Sequence, residues 1–177
     1  DIFTFKNSER TFNVNLPWGN STATLRWNHH FNNKIFINTT LMYNDYNFAF
    51  QGEQQNFNVK LFSGIRDWSG KFDIDYYSKF NHNFKFGGVY TYHTFTPSTV
   101  SGKVDSIELK PNQSFKKYAH EFGLYALDEF DLGSRVKINI GIRYSQFLQV
   151  GPYTRYRFDD NEKKVDSVTY RSGELAK

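Results

Sequence analysis

The chain contains no cysteine, which removes disulfides and thiolate chemistry from consideration. No run approaches the ~18 consecutive apolar residues that a membrane helix requires. Leu and Val are scarce, so the aliphatic core usual in a soluble domain is lacking. No basic block points to nucleic acid, because the formal charge of +4 is spread with both signs intermixed. GxSxG, HExxH and P-loop sequences are absent, as is any cofactor-binding motif. The chain begins at Asp1 without Met or a signal peptide. It ends at Glu174-Leu175-Ala176-Lys177 without a terminal strand closing on an aromatic residue. An exported protein carries a targeting segment, so the expectation is a mature, trimmed or internal piece.

Aromatic residues are what the chain has in abundance. There are 19 Phe and 12 Tyr, against a mean hydropathy of −0.67. Residues 135–144 show how they are used. Val136, Ile138, Ile140, Ile142 and Tyr144 alternate with Arg135, Lys137, Asn139, Gly141 and Arg143. Side chains of a strand alternate faces, so one face is apolar and the other polar. The pattern recurs about six times, on segments long enough for a tilted membrane crossing. The fold class expected is all-β: an antiparallel up-and-down transmembrane β-barrel, of which this chain supplies about six to seven strands.

The strands read from parity are residues 21–31, 34–50, 57–80, 84–95, 118–130 and 135–148. In the first, Ala23, Leu25, Trp27 and Phe31 share a face, opposite Thr22, Thr24, Arg26 and Asn28. In the second, Ile35, Ile37, Leu41 and Tyr43 share a face. A parity slip, read as a bulge, then brings Tyr46, Phe48 and Phe50 to that side. Ser69-Gly70 resembles a hairpin turn, but Phe62, Trp68, Phe72, Ile74, Tyr76 and Phe80 hold one parity across it. Residues 57–80 are therefore read as one strand projecting above the bilayer. In the fourth strand Phe84, Phe86, Tyr90 and Tyr92 point outward. In the fifth, Phe122, Leu124, Ala126 and Phe130 do, with Glu121, Tyr125 and Glu129 inward.

Connections at 32–33, 81–83 and 131–134 are short. Residues 1–19, 51–56, 96–117 and 149–177 are read as extracellular loops, the last a hairpin bending near Asp159-Asp160-Asn161. Pro17-Trp18-Gly19 is expected to break the ladder before the first strand. Alternating short turns and long loops is the habit of outer-membrane barrels. Six strands with two open edges cannot stand alone in hydrocarbon, and the smallest closed barrels use about eight. Remaining barrel strands, or other chains, must complete the wall.

Several stretches carry a family resemblance. Trp18-Gly19-Asn20-Ser21-Thr22-Ala23-Thr24-Leu25-Arg26-Trp27-Asn28-His29 and Asn38-Thr39-Thr40-Leu41-Met42-Tyr43-Asn44-Asp45-Tyr46 resemble the barrel of TonB-dependent outer-membrane receptors of the Bacteroidota type. Tyr90-Thr91-Tyr92-His93-Thr94-Phe95-Thr96-Pro97 and Gln149-Val150-Gly151-Pro152-Tyr153-Thr154-Arg155-Tyr156 resemble it too. The similarity runs over residues 17–176. It implies a barrel of about 22 strands, of which this chain is roughly a quarter. It also implies partners outside this segment: outer-membrane lipid, the protein's own plug domain and TonB. In SusC-like relatives a surface lipoprotein lids the barrel. A carboxypeptidase-regulatory-like domain often precedes the plug.

Candidate chemistry is sparse. His29 and His30 are adjacent in one strand, face opposite sides and cannot chelate together; His82, His93 and His120 are scattered over turns and loop ends. No metal site is expected. Asp73 and Asp75 share a face, as a carboxylate pair might in an acid–base enzyme. Barrel lumens carry many charges, however, so the residues expected to face the lumen are Arg26, Asp73, Asp75, Lys85, Glu121, Glu129, Lys137 and Arg143. Sequons at Asn20, Asn38 and Asn112 are discounted as chance matches. Tyr153, Arg155, Tyr156 and Arg157 are the loop candidates for substrate contact. The leading function is the wall of a TonB-energised transporter for a nutrient (peptide, glycan or metal chelate). The alternatives are a small outer-membrane barrel acting as adhesin or anchor, and a soluble carbohydrate-binding β-domain. Enzymatic activity ranks last.

Overall fold

The computed structural model describes residues 2–7, 10–54, 57–78, 81–104, 107–109 and 116–175. Among them there are strands and turns only. Two short strands come first, β1 (Ile2–Asn7) and β2 (Arg10–Asn15). Then follow β3 (Trp18–Asn32), β4 (Ile35–Gln54), β5 (Phe57–Tyr77) and β6 (His82–Val104). The short β7 (Ile107–Leu109), the long β8 (Lys117–Leu132) and β9 (Val136–Val150), and the hairpin β10 (Tyr153–Phe158) with β11 (Lys164–Tyr170) complete the chain.

The first nine strands make one antiparallel sheet, in which each long strand pairs with the next one in sequence; β7 folds back on β6. β10 and β11 form a separate two-stranded sheet. Among the described residues no second layer covers the large sheet. The buried apolar residues among those described are only Ala49, Ala119, Val150 and Tyr170. Ile140 and Ile142 are 64% and 76% exposed. Such a sheet relies on surroundings other than its own chain to cover its apolar face.

β5 passes through Ser69 and Gly70 without a break, pairing there with Met42 and Leu41 on one side and Thr91 and Tyr90 on the other. Alternation of Phe, Ile and Trp with Asp and Lys holds it extended through the glycine. Its 21 residues would span ~70 Å, well beyond the ~9–11 residues of a bilayer crossing.

Several expected loops are strands instead. Residues 51–54 continue β4, and β6 runs on through residues 96–104. Polar composition misled here, because these stretches pair with neighbours while remaining wet on one side. Residues 55–56, 79–80, 105–106 and 110–115 lie outside the described set, and with them Phe80 and the Asn112 sequon. The expected loop over 1–19 contains the β1–β2 hairpin, and β2 pairs with β4 above the start of β3. Asn15 opposes Gln51 and Trp18 opposes Phe48, so β2 and β3 share one register on β4. They amount to a single strand interrupted at Leu16-Pro17. Pro17 has no N–H for the ladder, but its carbonyl accepts from Ala49 N at 2.8 Å.

The parity slip expected in β4 does not occur. All residues from Ile35 to Gln54 pair with β5 in unbroken register. Tyr46, Phe48 and Phe50 therefore lie on the face opposite Tyr43. Their cross-strand neighbours there are Ile65, Ser63 and Leu61. On the Tyr43 face the sequence turns polar, with Asp45, Asn47, Gln51 and Glu53 beside Arg66 and Lys60. The apolar and polar faces thus exchange sides at the level of the Asp45–Arg66 pair. The one bulge nearby falls elsewhere, between Phe62 and Gly64 in the β5–β6 ladder. It absorbs Pro97 of β6, which cannot donate to a ladder.

Candidate functional site

Below Asp45 the two faces of the sheet are chemically distinct. One carries Leu25, Leu41, Tyr43, Trp68, Phe72, Ile74, Tyr90, Phe122, Leu124 and Ile142 in cross-strand contact across six strands. Tyr43 and Trp68 pack at 4.6 Å between ring centroids, and Tyr90 and Phe122 at 5.1 Å. The other face carries nearly all the ionic contacts, and these are the groups to which a function can be assigned.

Three tiers can be followed from the turn end upward. Lowest, Lys85 pairs with Asp75 at 3.2 Å and Lys137 with Glu129 at 2.7 Å. In the middle, Lys71 pairs with Asp73 at 3.0 Å, and the Tyr125 hydroxyl donates to the same carboxylate. Tyr125 is on β8 and Asp73 on β5, so the ring must cross β6. It crosses at Gly87, where a Cβ would lie 2.3 Å from the ring. Lys71 and Arg143 approach the Tyr125 ring at 5.9 and 5.8 Å. Arg143 itself lies over Gly123 and donates from Nε to Ser145 Oγ at 3.0 Å. Highest, His93 joins Asp67 at 2.8 Å to Glu121 at 3.2 Å, linking β5, β6 and β8.

Seven of the eight lumen candidates thus fall into these tiers. Asp73 and Asp75 share a face but take separate partners, Lys71 with Tyr125 and Lys85. Arg26 stands apart: it is exposed, opposite Thr40, with no ion-pair partner among the described residues. His29 is ringed by Trp27 and Phe31, while His30 packs on Phe36. His82 hydrogen-bonds Asp128 at 2.8 Å on the apolar face, close to the turns.

The loop candidates do not form one cluster. Within β10, Tyr153, Arg155 and Arg157 share a face, and Tyr156 lies on the other. Tyr153 stacks on Tyr170 at 5.0 Å, and burial pushes its phenol above the ordinary value. Lys164 lies 4.2 Å from the centre of the Tyr156 ring. A hollow of about 390 Å³ at the hairpin base is lined by Lys117, Pro152, Tyr153, Thr154, Tyr156, Thr169 and Tyr170. Lys117 and Tyr170 escaped sequence reasoning, as did the role of Asp67; His93, read as one of several histidines at turns and loop ends, lies instead within β6. Parity placed Asp67 on the polar side, but only the register shows that its neighbour is His93.

Next along the ladder from the Tyr43–Trp68 pair, Arg66 donates to Asp45 through both Nε and Nη2, at 2.9 and 2.7 Å. Tyr43 and Asn47 donate to the same carboxylate. The Arg66 contact holds the Asp45 carboxyl below its usual range.

Among known families, the model described as TonB dependent receptor-like, beta-barrel, matches residues 2–173. No curated protein and no solved structure gives a significant match.

Proposed function

We propose, from the premise that the chain belongs to the TonB-dependent receptor β-barrel family, that it forms part of the wall of an energised nutrient transporter of the Bacteroidota type. This is a family of outer-membrane transport receptors, not of enzymes. The apolar face meets lipid and the tiered ionic face lines the lumen. Arg26, Asp73, Asp75, Lys85, Glu121, Glu129, Lys137 and Arg143 face the plug domain there. Polar and ionic contacts suit a plug that must move, because water and alternative partners can replace each one as it breaks. The wall supplies framework and plug contacts, and TonB acts through the plug.

One observation carries this reading. Below the Asp45 level, six strands in antiparallel order keep a mainly apolar face on one side and most of the cross-strand ion pairs on the other. A soluble sheet buries its apolar face beneath a second layer, and this one has none among the described residues. The test is the intact mass and N-terminal sequence of the parent polypeptide purified in detergent from outer membranes. A chain several times this length with plug-like sequence supports the transporter. A chain slightly longer than 177 residues sinks it and leaves a small adhesin-like barrel.

A further inference from the structure

We infer that the apolar face carries a seat for one lipid hydrocarbon chain, in a hollow floored by Gly70, two rows below the Asp45–Arg66 pair. This rests on the transporter reading, in which that face meets lipid. Glycine weakens the interior of a strand, and its presence there often marks a close approach by another group. The backbone gives no other reason for it at Gly70. The ladders on both sides pass it in step, and it is not among the glycines in the left-handed region. Nor does a neighbouring ring claim the space. Gly88, one row lower on β6, lies under Phe72 and Leu124, which a Cβ would meet at 2.6 and 3.1 Å. At Gly70 a Cβ would meet only Leu41 Cδ2, at 3.6 Å.

The space left open is a hollow of about 490 Å³, reaching from Trp68 and Tyr90 across Gly70, Leu41 and Tyr43 to Leu25. β4, β5 and β6 make most of it. Each is paired on both sides, so no further strand of the wall can fill it. Tyr43 and Tyr90 stand at its edges with their hydroxyls bonded one row higher, to Asp45 at 3.0 Å and His120 at 2.8 Å. The lining is therefore almost wholly apolar. A polar occupant would lose its hydration and gain no hydrogen bond in return, so the hollow takes hydrocarbon.

Two apolar occupants could reach this side of a membrane wall: a lipid chain, or a side chain of a neighbouring protein. The ion pair above the hollow decides between them. Arg66 is half exposed, and a protein surface pressed over the hollow would cover the pair and strip its water. A lipid lays its chain over Gly70 and leaves a hydrated headgroup beside Asp45 and Arg66. The levels suit this. Arg66 stands four residues from Gly70 on β5, about 13 Å along the strand, within the depth of one leaflet of a ~30 Å hydrocarbon core. The walls of the hollow are stiff, because Tyr43 and Trp68 pack ring against ring. Left empty, the hollow forfeits the dispersion contacts of its lining, and a flexible chain restores them.

The test uses the full-length receptor, purified in detergent and stripped of lipid. Native mass spectrometry follows its binding of dipalmitoylphosphatidylcholine. One lipid should bind ahead of the rest, and about tenfold more weakly to Gly70→Leu, the scale of roughly ten dispersion contacts. Gly70→Ala should weaken it less, in the same direction; the open space over Gly70 lets this smaller variant fold. Ala126→Leu, on the same face outside the hollow, should keep the lipid. Equal binding by the parent and both Gly70 variants overturns the seat. So does a receptor dimer that Gly70→Leu dissolves, which would give the hollow to a second copy. The face is tested separately, in vesicles of phosphatidylcholine with dibrominated chains, whose bromine quenches tryptophan emission on contact. The emission that Trp68→Phe removes should be quenched there. Unquenched emission overturns the lipid-facing reading itself, whereas quenched emission with a failed seat leaves that reading standing.

Discussion

Tyr125 on β8 reaches Asp73 on β5 across the strand between them, and Gly87 is the residue it crosses. Three adjacent strands are thereby tied on one face by a single phenol. The tie depends on a missing side chain as much as on the two that meet. Gly87→Ala should push the ring aside, leave Asp73 to Lys71 alone and cost about 1–3 kcal/mol, the range for overpacking and a lost buried hydrogen bond. Tyr125→Phe should cost less, about 0.5–1.5 kcal/mol. Denaturant unfolding of the full-length receptor in detergent measures both. An alanine as harmless as the phenylalanine would contradict the crossing.

Ile142 and Arg143 are neighbours that point to opposite sides of β9. Ile142→Arg should cost about 2–4 kcal/mol, the penalty for a cation on the lipid face at mid-bilayer. Arg143→Gln should disturb folding far less. Comparing the unfolding midpoints of the two variants in lipid vesicles tests the assignment of faces. Equal costs would refute it.

Asp45 makes a modest acid-sensitive contribution. Its carboxyl is held below the ordinary range, chiefly by Arg66. A lowered value means that the folded state favours the carboxylate. The stabilisation is complete above the ordinary carboxylate value of about 3.9 and fades as pH falls through the lowered one. Arg66 is half exposed, so water screens the pair and its contribution is small. Asp45→Asn should remove that increment at neutral pH and flatten the acid limb of a stability-against-pH curve. A variant whose acid limb matches the parent's would show that the contact carries nothing.

The tight turn before β9 uses Gly133 at φ +71°, in the left-handed region. Gly133→Ala has open space for its methyl but not the backbone freedom. The expected loss is about 1 kcal/mol, read from the same unfolding curves.

Strand order and facing were legible below Asp45 because lipid imposes one period on every crossing strand. The uninterrupted run through Ser69-Gly70 could be read from parity alone. Above Asp45 the same signal misled. Tyr46, Phe48 and Phe50 looked like a slip in register, because a change of surroundings and a bulge leave the same mark on a sequence. Residues 51–54 and 96–104 looked like loops because strands that stand in water need no strong apolar alternation. The ion pairs depended on register. Asp75 with Lys85 could be guessed from one face and one turn, whereas Asp67 with His93 could not.

The shared register of β2 and β3 on β4 limits how this wall can change length. Each residue's side is fixed by whether its count from the Asp45 level is odd or even. One residue added above that level would turn every side chain beyond it to the wrong side, whereas two would raise the rim and leave each side chain on its own side. Descendants of this barrel can grow or shrink at the mouth only in steps of two, unless a bulge like the one at Pro97 absorbs the odd residue.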